Sequence, residues 1–114
     1  MPRILTLFAL LISGSALASD AERGKQVYTA NCMACHGTEG NGEGPAAMAL
    51  TPKPSDFTDA AFWKDRSDEA LASTIKTGKP GTSMAPFPQL NEEDMASLVI
   101  YLNTLKPKLS NSGS

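Results

Sequence analysis

Apolar residues recur at helical spacing in three parts of the chain, and no stretch alternates apolar with polar residues as a half-buried strand would. Ser19-Asp20-Ala21-Glu22 forms a capping box, with a hydroxyl at the cap and a carboxylate three residues on. Gly24, Val27 and Tyr28 then share one face of a first helix that runs into Cys32. Ser67 caps a second helix, whose Leu71 and Ile75 lie four apart and which Gly78 ends. Asn91-Glu92-Glu93-Asp94 opens the strongest helix, with Met95, Leu98, Val99 and Leu102 on one stripe and Pro107 just past its end. A shorter helical segment is expected around Thr58 to Asp65. Elsewhere glycine and proline dominate. Gly37, Gly40, Gly42, Gly44, Pro45, Pro52 and Pro54 make a loop with room for one helical turn at Ala46 to Leu50. Lys79 to Leu90 holds Pro80, Pro86 and Pro88 and is an irregular, stiff loop. The pattern predicts one all-α domain over residues 19–107, with no repeat, and a flexible tail over 108–114.

The first 18 residues read as a secretory signal that is removed. Arg3 supplies the positive charge, Ile4 to Ile12 is apolar except for Thr6, and Ala16-Leu17-Ala18 is an A-x-A cleavage site, so the mature chain is expected to start at Ser19. Ile4 to Ala18 is too short to span a bilayer, which needs roughly 20 residues.

With Arg3 gone, nine basic residues face twelve acidic ones, a formal charge of −3. The basic residues are scattered, which argues against nucleic acid and against a polybasic membrane patch. A domain this small, with only 6% aromatic residues, needs something beyond its own side chains to fill a core. A large apolar cofactor would do so.

Cys32-Met33-Ala34-Cys35-His36 supplies the attachment point for one: it is the Cys-x-x-Cys-His haem pattern. Two cysteines at this spacing at the end of a helix reach the vinyl groups of neighbouring pyrroles and form thioethers. The adjacent His36 then presents imidazole, a good iron ligand. Three other readings fit less well. A thioredoxin-like pair needs a βαβ context, and none is visible. A zinc site needs four ligands from a chain with two cysteines and one histidine. A Cys32–Cys35 disulfide closes a tiny loop and stabilises little.

His36 is the only histidine, so ligation by two histidines of this chain is excluded, and the sixth iron position falls to methionine, another residue or water, or stays open. Met33 lies between the anchoring cysteines, Met95 on the apolar stripe of the last helix, and Met48 in the loop close to His36. Met84 is far enough from His36 for the chain to wrap round the haem edge and return on the other face, in a loop stiffened by proline. Leu50, Ile75 and Leu98 are expected against the ring.

On these residues the chain resembles the class I c-type cytochromes over essentially all of its mature length. Gly24 and Tyr28 look like the family's Gly-x-x-x-aromatic pair, which crosses the last helix at Leu98 and Tyr101. Gly44-Pro45 looks like the family's Gly-Pro, where the loop supports the proximal histidine, commonly through its other ring nitrogen. Trp63 resembles aromatic residues that contact haem or a propionate, with plain core as the competing role. Thr82 to Phe87 departs from the commoner pattern in which proline directly follows the methionine. The resemblance implies a small cytochrome c fold, three to five helices around one covalently bound haem c. It further implies a non-enzymatic electron carrier of the periplasm, monomeric, exchanging electrons transiently with redox protein donors and acceptors. A haem subunit of a dehydrogenase or oxidase complex is the alternative.

Overall fold

The computed structural model describes residues 19–108. The expected signal segment 1–18 and the tail beyond residue 108 lie outside them. Five α-helices and one 3₁₀ turn follow in order: α1 (Asp20–Asn31), α2 (Met33–His36), the 3₁₀ turn (Ala47–Ala49), α3 (Ala60–Trp63), α4 (Asp68–Thr77) and α5 (Glu92–Asn103). No strand occurs among the described residues.

The helix starts fall where the polar caps place them. Ser19 Oγ accepts from the Glu22 amide and Glu22 reaches back to the Ser19 amide, which completes the capping box. Ser67 and Asn91 accept from the third residue of α4 and α5. Gly78, at φ 80°, ends α4. One element escaped the sequence pattern. The first helix stops at Asn31, and after a kink at Cys32 the chain turns once more as α2, with His36 N bonded to Cys32 O at 2.9 Å. A four-residue turn is too short to show a periodicity.

Helix α1 packs on α5, and α4 packs on α5 beside it. The crossing depends on Gly24. A Cβ there would overlap the Ser97 carbonyl oxygen and lie 2.7 Å from Tyr101 Cβ, so only glycine lets the two backbones approach. Tyr28, one turn on, is buried with its ring centroid 5.3 Å from that of Tyr101. Leu71, Ile75, Leu98, Val99 and Leu102 complete a core shared by α4 and α5, with Phe57 from the connecting loop. The Tyr28 hydroxyl donates to the Gly37 carbonyl, which ties α1 to the chain just after α2.

Two predictions test this frame. Gly24→Ala should cost about 1–3 kcal/mol in urea unfolding, because the inserted methyl has nowhere to go. Burial, followed by the neighbouring Cys32 and Tyr101, raises the Tyr28 pKa above its ordinary value. The unfolded residue ionises near about 10, so above that pH the unfolded state alone loses a proton and wild-type stability falls. Tyr28→Phe should therefore be less stable by about 1 kcal/mol at neutral pH, with the deficit narrowing as pH rises past about 10. A deficit independent of pH would contradict the assignment.

Candidate functional site

The site is built on a helix that ends almost as soon as it begins. α2 leaves carbonyls without helical partners at its C-terminal end. The glycine-rich loop turns back and supplies the missing donors: Gly37 N to Met33 O at 2.8 Å, Ala46 N to Ala34 O at 2.9 Å, Gly44 N to Cys35 O at 3.1 Å and Gly42 N to His36 O at 2.8 Å. The fit leaves no room at Gly44, where a Cβ would lie 2.7 Å from Met33 O. Gly42 adopts φ 83° and passes so close to the next segment that a Cβ would lie 2.7 Å from Pro54 O.

This frame fixes the three residues of the motif. His36 is 8% exposed, and its Nδ1 lies 3.0 Å from the Ser55 carbonyl oxygen. Burial lowers its pKa and outweighs the opposing pull of that hydrogen bond. With Nδ1 engaged at Ser55, Nε2 is the nitrogen left for a metal. Phe57 stacks on the imidazole face, centroids 4.5 Å apart and planes 23° from parallel. Cys32 and Cys35 are each half-buried and form no disulfide with one another. Burial, then the neighbouring Cys35, pushes Cys32 up to about 12. Among the described residues no three His, Cys, Asp or Glu side chains are grouped to hold a metal ion by themselves, so the four-ligand zinc reading has no site here.

Cys32, Cys35 and His36 open onto a cleft that Met84 also lines. Its sides are apolar, from Leu50, Phe57, Phe62, Leu71, Ile75 and Phe87, while Lys53, Arg66 and Lys79 are its charged residues. Met84 sits in a loop held by its own backbone. Lys79 N donates to Met84 O at 3.1 Å, Met84 N donates to Thr82 Oγ1 at 3.1 Å, and Phe87 N donates to Ile75 O at 3.1 Å. Gly78 makes room for it, since a Cβ there would lie 2.9 Å from both Met84 O and Pro86 N. The other methionines lie elsewhere. Met48 is 98% exposed on the 3₁₀ turn, and Met33 and Met95 pack against the core.

The structure thus brings Cys32, Cys35, His36 and Met84 to one cleft. It does not bring Pro45 or Trp63 there. Pro45 is exposed, and the His36 Nδ1 bond expected from its loop is made by Ser55. The chain crosses His36 a second time at 54–55, and that later pass presents the carbonyl. Trp63 turns its indole N–H to Phe57 O at 2.8 Å, and its neighbour Phe62 occupies the cleft wall. Leu50 and Ile75 line the cleft as expected, whereas Leu98 is fully buried in the helix core behind it. Ser55 acts through its backbone, which residue type does not reveal. Phe57 and Phe62 carried a signal, as aromatic residues within a few positions of Trp63.

The donor set fits haem c: two cysteine sulfurs and an imidazole within five consecutive residues, and a thioether, all lining one cleft with largely apolar walls. Comparison with known proteins points the same way. Residues 21–106 match the family model described as Cytochrome c. Cytochrome c-554(547) of Halothiobacillus neapolitanus is 37% identical over 92 residues, covering 78% of this chain and 100% of that protein. The cbb3-type cytochrome c oxidase subunit CcoP of Azospirillum brasilense is 32% identical over 88 residues, 77% of this chain and 29% of the subunit. The chain thus spans only about a quarter to a third of the oxidase subunits it matches. A solved structure titled KustC0563 c-type cytochrome superposes with a TM-score of 0.61 at 28% identity, covering 73% of this chain and 96% of that one. With motif, helix crossing and domain-length similarity in agreement, this chain belongs to the cytochrome c family, whose members transfer electrons through covalently bound haem c.

Proposed function

We propose that the chain is a diffusible electron carrier of the periplasm, released by cleavage before Ser19, in which His36 and Met84 ligate the iron of one haem c. The observation that carries this reading is the position of Met84: it is the one methionine among the described residues on the cleft that His36 lines. When bound, haem c supplies one-electron exchange between ferrous and ferric iron. The chain's residues determine how that exchange runs. With haem c bound, Cys32 and Cys35 would tether the ring and His36 and Met84 would hold the iron, leaving no position for substrate. That arrangement supports electron transfer rather than catalysis. The soft thioether and the apolar walls both favour the less charged ferrous state. Small size and scattered surface charge suit brief encounters of a monomer with redox protein donors and acceptors. No helix among the described residues is long and apolar enough to cross a membrane.

The similarity to oxidase subunits supports a second reading, a haem subunit held in an oxidase or dehydrogenase complex.

Met84→Ala tests the ligand set. The ferric wild type should show the methionine–iron charge-transfer band at the red end of the visible spectrum, and the variant should lose it and fall in reduction potential. A variant that keeps the band contradicts Met84 as ligand. Purification of the native holoprotein at moderate salt separates the two readings. A carrier emerges as a monomer beginning at Ser19, because weak docking is screened, whereas a subunit stays with its complex.

A further inference from the structure

Segment 55–57 meets the His36 imidazole from two directions. The Ser55 carbonyl oxygen lies 3.0 Å from Nδ1, within hydrogen-bond distance. The Phe57 ring lies against the face, at 4.5 Å and 23°. A single hydrogen bond fixes where Nδ1 points and leaves the ring free to turn about that direction. A flat ring packed on the face removes the remaining freedom.

Phe57 is itself held from several sides. Its N–H donates to Gly40 O at 2.7 Å, and its carbonyl accepts from the Trp63 indole at 2.8 Å. Phe62 packs edge-on against it, centroids 5.0 Å apart. Just before it, Asp56 Oδ1 accepts from the Thr58 amide at 2.8 Å, which fixes the turn that follows. The side chain is 6% exposed. The backbone of Phe57 is thus anchored at both its N–H and its carbonyl, and its buried ring is held between His36 and Phe62.

We propose that Phe57 is the positioning residue of the proximal ligand: it sets the plane of the His36 imidazole and shields the Nδ1–Ser55 hydrogen bond from water. His36 then keeps one orientation and one tautomer in both oxidation states, which is what a partner of the ring nitrogen does for a metal-bound imidazole. Trp63 acts at one remove, by holding the Phe57 carbonyl. The inference rests on His36 as an iron ligand and is independent of what fills the opposite position.

Nuclear magnetic resonance on the holoprotein tests it. In the reduced wild type, the Phe57 ring protons should show a nuclear Overhauser contact to the His36 Nδ1 proton. In the oxidised protein, the pattern of haem-methyl shifts reports the axial ligand planes. Phe57→Met, which conserves volume but lacks a flat face, should alter that pattern and speed Nδ1 proton exchange by about tenfold or more. Leu102→Ala removes buried packing away from the cleft and serves as the matched loss of stability. It should leave the shift pattern as in wild type. A Phe57→Met protein with wild-type shifts and exchange would overturn the proposal, as would a missing Phe57–His36 contact. The contact is read in the wild type, so a poorly folding variant does not remove the test. Absence of hyperfine-shifted His36 protons in the oxidised wild type would instead overturn the ligand reading beneath it.

Discussion

The unpaired carbonyls at the end of α2 are the constraint on which the rest of the site depends. A helix of four residues cannot satisfy its own C-terminal groups, and buried backbone acceptors without partners are costly. Here Gly37, Gly42, Gly44 and Ala46 supply the donors, so the loop must reverse direction and lie against α2. Its glycines follow from that requirement. Gly42 needs positive φ and Gly44 needs the space of a missing side chain. Once the loop is closed, the chain re-emerges at 54–57 directly beside His36, and Ser55 and Phe57 meet the imidazole.

The two walls of the cleft are stabilised by different means. On the His36 side, rigidity comes from backbone hydrogen bonds among α2, the glycine-rich loop and Tyr28 of α1. On the Met84 side, it comes from a proline-rich loop closed on itself by the Lys79–Met84 bond and tied to α4 by Phe87 N to Ile75 O. What joins them is the helix core. α1 carries the motif to α5 through the Gly24 contact, and α5 carries α4, whose Leu71 and Ile75 belong to both the core and the cleft. A small domain with few aromatic residues thereby surrounds an apolar space that its own side chains leave open, and haem c suits that space.

Much of this is legible in the sequence wherever side-chain chemistry acts directly. Ser19, Ser67 and Asn91 mark the helix starts because their oxygens bond the nearby amides. Cys32, Cys35 and His36 stand out in the sequence because their types and spacing form the Cys-x-x-Cys-His pattern, and all three line the cleft. The Gly24–Tyr28 crossing is legible because steric exclusion is encoded in glycine itself. What escapes are roles played by backbone or by near neighbours. The acceptor at His36 Nδ1 is a carbonyl, which every residue has, and the fold selects Ser55 over the Gly44-Pro45 loop. Phe62 rather than Trp63 lines the cleft because one step along a helical turn rotates a side chain by about 100°. The single turn of α2 is too short for any periodicity to announce.

The account centres on an iron closed by His36 on one side and Met84 on the other. Site-specific labelling of the methionine methyl groups, read by nuclear magnetic resonance in the reduced holoprotein, tests this most directly, because a ligating methyl lies over the haem ring and is strongly shifted by its ring current. The account predicts that the Met84 methyl alone shows that shift, while Met33, Met48 and Met95 resonate in the ordinary methionine range. A shifted resonance assigned to Met48 or Met95, or no shifted methionine at all, would contradict it.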